Sequence, residues 1–190
     1  MAFAGSNLKL SDVTAAYGVS SLLGMRGKTS YASSTDPTTA VTIGNTSGVT
    51  LSSFFNRFIS SSGTLANRDD GNQDVIFYGY GTESLTNMSY VMTNGVLTQI
   101  KLNWNLGSGN RNGGLGTNTN SQLLEIRNNA QVLQTTTSAN TTQTFNISVA
   151  SGNTFTIYIF ANVNNSAAGQ QNGMSLTATY NVSPNGLSSV

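Results

Sequence analysis

The chain has no cysteine and no histidine, two prolines and one tryptophan, and charged residues fill only 8% of its 190 positions. Without cysteine there is no disulfide and no thiol nucleophile. Without histidine the imidazole base of the usual triads and the commonest zinc ligand are missing too. The sparse charge nets to +1, which gives no electrostatic grip on nucleic acid or on an anionic membrane surface. No apolar run approaches the length of a transmembrane helix, and Met1 to Leu10 lacks the basic start and long apolar stretch of a signal peptide. Synthesis in a cytoplasm is expected, with neither nucleic acid nor membrane as partner.

Ser, Thr, Asn and Gly make up about half of the chain. The remaining β-branched and aromatic residues fall in short alternating runs, which describes strands and turns rather than disorder. In the run to Leu106, Ile100, Leu102 and Trp104 point one way while Lys101, Asn103 and Asn105 point the other. Asn94-Gly95 before it tolerates the two left-handed residues of a type I′ hairpin turn. Thr154 to Val163 sets Phe155, Ile157 and Ile159 on one face and Tyr158 and Phe160 on the other. Such a strand is central in its sheet or covered by another subunit. Strands are expected at 75–80, 85–93, 96–106, 121–127, 130–136, 143–149, 154–163 and 173–182. The fold expected is all-β: an eight-stranded antiparallel β-sandwich, jelly-roll-like, with Ile100, Leu102, Trp104, Phe155, Ile157 and Ile159 in its core.

Residues 1–62 differ in character. Leu8-Lys-Leu-Ser is followed by a predicted helical piece, Asp12 to Tyr17, with Ser11 as cap and Gly18 as stop. Val49-Thr-Leu-Ser-Ser-Phe-Phe repeats the design with Ser52 as cap, a weak internal repeat whose units are too small to bury their own apolar faces. Ser60 to Thr64 reads as linker and Asn67 to Asp74 as a polar loop. The division expected is an anchoring segment, 1–62, a linker, 63–74, and the sandwich, 75–190. Long Gly/Asn/Ser/Thr loops are expected at 107–120, around Arg111, and at 164–172.

Chemistry has little to work with. The carboxylates are Asp12, Asp36, Asp69, Asp70, Asp74, Glu83 and Glu125, the last two read as solvent-facing, so no enzyme and no cofactor are expected. Gly24-Met-Arg-Gly-Lys-Thr ends like a phosphate-binding loop but has Leu22 where that pattern needs glycine. Asp69 to Asp74 lacks the spacing of a calcium loop and reads as a turn, so no metal site is expected. Tyr78, Tyr80 and Tyr90 are candidates for stacking on sugars, with Arg111 of the 107–120 loop as a further glycan-binding candidate; otherwise the tyrosines line the sandwich and its edge.

The strings Leu8-Lys-Leu-Ser-Asp12, Leu22-Leu-Gly-Met-Arg-Gly-Lys-Thr29 and Ser47-Gly-Val-Thr-Leu-Ser-Ser-Phe-Phe55 resemble a recurring segment of tailed-bacteriophage virion proteins. There such strings precede a variable β-rich domain; here Ser53 replaces the aspartate and Met25 a leucine. The resemblance covers about the first third of the chain. It implies a virion protein that docks on other virion proteins through its N-terminal segment, with an outward domain like those of decoration and fibre proteins, which are often trimers. Leu22, Leu23, Arg26, Lys28, Phe54, Phe55 and Phe58 are then the anchor candidates, because a small apolar segment must be covered by something. A capsid decoration or cement protein is the first expectation. The alternative is a tail- or head-fibre protein whose sandwich binds host-surface glycans.

Overall fold

The computed structural model describes residues 3, 8–44, 49–69, 73–74, 80–81, 83–106, 119–165 and 170–190. Helix α1 (Leu10–Tyr17) comes first, then strands β1 (Thr29–Tyr31) and β2 (Ala40–Thr42), which pair antiparallel. Single 3-10 turns span Leu22–Met25, Pro37–Thr39 and Leu51–Phe54. The chain continues as β3 (Ser60–Thr64), β4 (Arg68–Asp69), β5 (Gln73–Asp74), β6 (Tyr80–Gly81), β7 (Glu83–Thr93), β8 (Val96–Leu106) and β9 (Thr119–Asn128). It ends with β10 (Gln131–Thr136), β11 (Thr142–Ala150), β12 (Thr154–Asn165), β13 (Gln170–Ser183) and β14 (Gly186–Ser189). The chain is all-β, as the alternation predicts.

One large sheet runs β11–β8–β7–β3, with β4 continuing along the edge of β7 that β3 occupies. The other runs β10–β9–β12–β13–β14. Their inward faces share one core, where Ile100, Leu102, Trp104, Phe155, Ile157 and Ile159 are all fully buried beside Leu85, Leu124 and Tyr180. The seven segments expected from residue 85 onward all overlap strands, while 75–80 falls mostly outside the described residues. Strand β12, apolar on both faces, is central in its sheet. Asn94 (φ 51°) and Gly95 (φ 76°) form the left-handed turn between β7 and β8.

Two local expectations fail. Ser60 to Thr64 is not a linker: it is β3, pairing from Ser60 with Thr93 to Thr64 with Ser89, so the boundary expected at residue 62 falls inside a sheet. Its composition looks like linker because the strand needs small residues. An added Cβ at Gly63 would lie 2.4 Å from Cζ of Tyr90, whose buried ring covers this glycine. The loop expected at 164–172 is shorter than that, because β12 reaches Asn165 and β13 starts at Gln170.

Tyr90 also crosses to the other sheet: its hydroxyl accepts the Leu187 N–H at 3.3 Å, and Gly186 (φ 116°) leaves the room it occupies. The ring is therefore pinned from two sides. Gly63→Ala should destabilise the chain by about 1–3 kcal/mol in urea titrations, as overpacking does. In a Tyr90→Ala background the same substitution should add almost nothing, a coupling that a double-mutant cycle reads directly.

Candidate docking surfaces

The internal repeat is built as one capping device used twice. Asp12 Oδ2 accepts the Lys9 N–H at 3.3 Å and opens α1 at Leu10; Ser53 Oγ accepts the Thr50 N–H at 3.3 Å and opens the turn at Leu51. In both copies the third residue of the helix reaches back to the residue before it. The caps are thus Lys9 and Thr50, not Ser11 and Ser52, because the serine hydroxyls sit one residue inside the first turn. Gly18 (φ 65°) ends α1 in the left-handed conformation, as predicted. What the repeats bury is a second, smaller core of Phe3, Val13, Tyr17, Met25, Ile43 and Phe54. Its centre is an aromatic triad, with ring centroids 6.1 Å apart for Phe3–Tyr17, 6.3 Å for Phe3–Phe54 and 5.9 Å for Tyr17–Phe54.

The β1–β2 pair joins the two cores. Tyr31 and Phe58 exchange backbone hydrogen bonds of 2.9 Å, and Tyr31, Ala40 and Phe58 pack against the large core. Ile43 and Ile59 belong to the small one. At the β7–β8 turn, the Thr29 N–H donates to Asn94 Oδ1 (2.9 Å), the Gly95 N–H to the Tyr31 hydroxyl (3.2 Å) and the Asn94 N–H to the Ile59 carbonyl (2.9 Å). The Tyr17 hydroxyl donates to the Thr29 carbonyl at 3.2 Å. Burial pushes the Tyr17 phenol up to about 12, with Tyr31 adding to the rise and the Ser30 hydrogen bond and Arg57 opposing it. Burial raises Tyr31 and Tyr90 as well.

The anchor candidates separate. Phe54 is fully buried in the small core and so unavailable to a partner, while the half-buried Phe58 packs against the large core and the half-buried Leu22 against the small one. Sequence alone could not see that the N-terminal segment has a core of its own. Leu23 remains 63% exposed and Phe55 41%, together with Arg26 and the half-buried Lys28. Leu10 and Val41, exposed on the same unit, were not anticipated; each sits at an ordinary periodic position that only the burial of its neighbours singles out.

The other candidates fare unevenly. Tyr78 and Arg111 lie outside the described residues, as does most of the loop 107–120. Tyr80 falls on β6, which pairs with β5. Tyr90 lines the interior. The phosphate-loop look-alike runs into β1 rather than a helix, and its Gly27 and Lys28 N–H groups are committed to the Ile43 and Met25 carbonyls. No group of three metal-ligating side chains occurs among the described residues. Glu83 is buried rather than solvent-facing, and Glu125 is largely covered in an ion pair with Arg127. Comparison with protein-family profiles, curated proteins and solved structures finds no match for this chain.

Phe54→Ala should cost about 3–5 kcal/mol in the stability of the N-terminal unit. Phe55→Ala should stay within about 0.5 kcal/mol of wild type; amide exchange of the N-terminal residues, with urea unfolding, separates the two. The tyrosines set the response to alkali. A phenol whose folded value lies above its ordinary value of 10.0 contributes fully below pH 10, and the contribution is lost as pH rises through about 12. Stability measured by urea titration should therefore be flat to about pH 9 and fall between pH 10 and 12, less steeply in Tyr17→Phe.

Proposed function

We propose that this chain is a non-enzymatic structural protein of a virus particle surface, a capsid decoration or cement protein that docks through its N-terminal unit and presents its β domain outward. The observation that carries the reading is the unit's uneven surface. Leu23 and Phe55 stand exposed on a segment small enough to need cover. On the same unit, Lys9, Arg26, Lys28 and Arg57 form no ion pair with any described residue, while its two carboxylates, Asp12 and Asp36, are used in caps. A unit with exposed apolar residues and unpaired cations suits an apolar, acidic patch on a neighbouring particle protein. The resemblance of the N-terminal strings to tailed-phage virion segments supports the same reading. We read the outward domain as a two-sheet sandwich of jelly-roll-like type; the non-sequential pairings of β8 with β11 in one large sheet and of β9 with β12 in the other support a sandwich over a simple meander. Homo-oligomeric assembly accords with it.

Immunogold labelling of intact particles with antibody against residues 75–190 tests the proposal. Label spread over the head is the expected result. Label confined to the tail moves the chain to a fibre, and particles free of the protein overturn the proposal. Leu23→Asp with Phe55→Asp should reduce incorporation at least about tenfold while leaving the far-ultraviolet circular dichroism of the sheets unchanged.

A further inference from the structure

The five-stranded sheet has a second face, and register fixes what lies on it. Leu124 and Ile126, Phe155, Ile157 and Ile159, and Leu176 and Ala178 point into the core. Their neighbours Leu123, Glu125 and Arg127 on β9, Thr156, Tyr158 and Phe160 on β12, and Thr177 and Thr179 on β13 therefore point outward. The Arg127 guanidinium sits 4.6 Å from the centroid of the Tyr158 ring and is ion-paired with Glu125. Tyr158 and Phe160 stack with centroids 6.2 Å apart and planes 12° apart. Beside Arg127, on β10, Val132 is 45% exposed. The outer face of an antiparallel sheet is ordinarily polar; at its centre this one carries a stacked row of arginine, tyrosine and phenylalanine.

We propose that this face is the contact with a second copy of the chain. Arginine, tyrosine and phenylalanine are the residues enriched at the centres of protein interfaces. The charges point to a copy of itself. Glu125 and Arg127 are the only charged residues in all five strands, and they lie two positions apart on one strand. The patch thus carries one charge of each sign and is complementary to itself: strands opposed in antiparallel fashion set Arg127 against the partner's Glu125. The size fits as well. Five strands about 4.8 Å apart, 4 to 14 residues long, cover roughly 700 Å², close to the ~800 Å² per partner of a stable interface. A sugar is the poorer occupant, because Arg127, level with Thr156, and Phe160 flank the Tyr158 ring from opposite ends of β12. They leave its edge, not its face, for a ligand.

The inference does not rest on the virion reading, since it is tested with no particle present. Sedimentation of the full chain at about 100 µM, where micromolar affinity gives nearly complete association, should return a multiple of 19.9 kDa. Arg127→Glu and Glu125→Arg should each weaken association at least about tenfold, and an equimolar mixture of the two should restore it. Phe160→Lys should give monomers with unchanged circular dichroism, and it serves where a charge reversal fails to fold. A monomeric wild type overturns the proposal. So does an oligomer whose mass is indifferent to all three folded variants.

Discussion

The left-handed turn at Asn94-Gly95 is the constraint on which the two halves of the molecule depend. Its geometry closes the β7–β8 hairpin, and the polar groups it leaves outside the ladder then bind the N-terminal unit: the Asn94 amide and side-chain oxygen and the Gly95 amide meet Ile59, Thr29 and Tyr31. A Cβ at Gly95 would fall 2.9 Å from Thr29 Oγ1, so close approach as well as backbone sign requires glycine there. One dipeptide thus closes the central hairpin and ties Thr29, Tyr31 and Ile59 of the N-terminal unit to it. The thin β1–β2 layer beside it shows one face to each core, and Tyr31, fully buried, is its pivot.

Much of this was legible in the residues. Period-two alternation found the long strands and the six central core residues, because a one-residue slip would turn every apolar side chain to solvent. Asn-Gly found the hairpin, and Gly18 found the end of α1. The misses share a cause. Ser60 to Thr64, Asn164-Asn165 and Gln170 to Asn172 have loop composition, yet what decides their state is a neighbouring strand with unpaired backbone groups and, at Gly63, an aromatic ring that excludes any side chain. Propensity yields to tertiary context in such places. Phe54 was misjudged for a related reason. A single apolar turn looks uncovered until Tyr17, 37 residues earlier in the chain, is brought against it.

The candidate surfaces were less legible than the fold, because exposure is a property of what remains after packing. The repeat gave Phe54 and Phe55 equal standing, and the 3-10 turn separates them, one into the core and one out of it. The outer face of β12 was visible as two aromatic residues on the wrong side of an alternating strand. Arg127 over Tyr158 was not, since that contact joins strands whose adjacency no local pattern encodes.

Scarcity gives the few charges their meaning. The bonds that tie the N-terminal unit to the sheets are neutral hydrogen bonds and apolar contacts, which ionic strength hardly touches. The unit's four cations and the Glu125–Arg127 pair, by contrast, lie on surfaces. A protein that uses so few charged residues for solubility relies on hydroxyls and amides for that purpose, and these bind no particular neighbour strongly. Charge placed against such a background discriminates between partners more than it adds affinity. On the proposed reading, the cationic unit would address a neighbour of opposite sign and the self-complementary sheet face a copy of the chain itself.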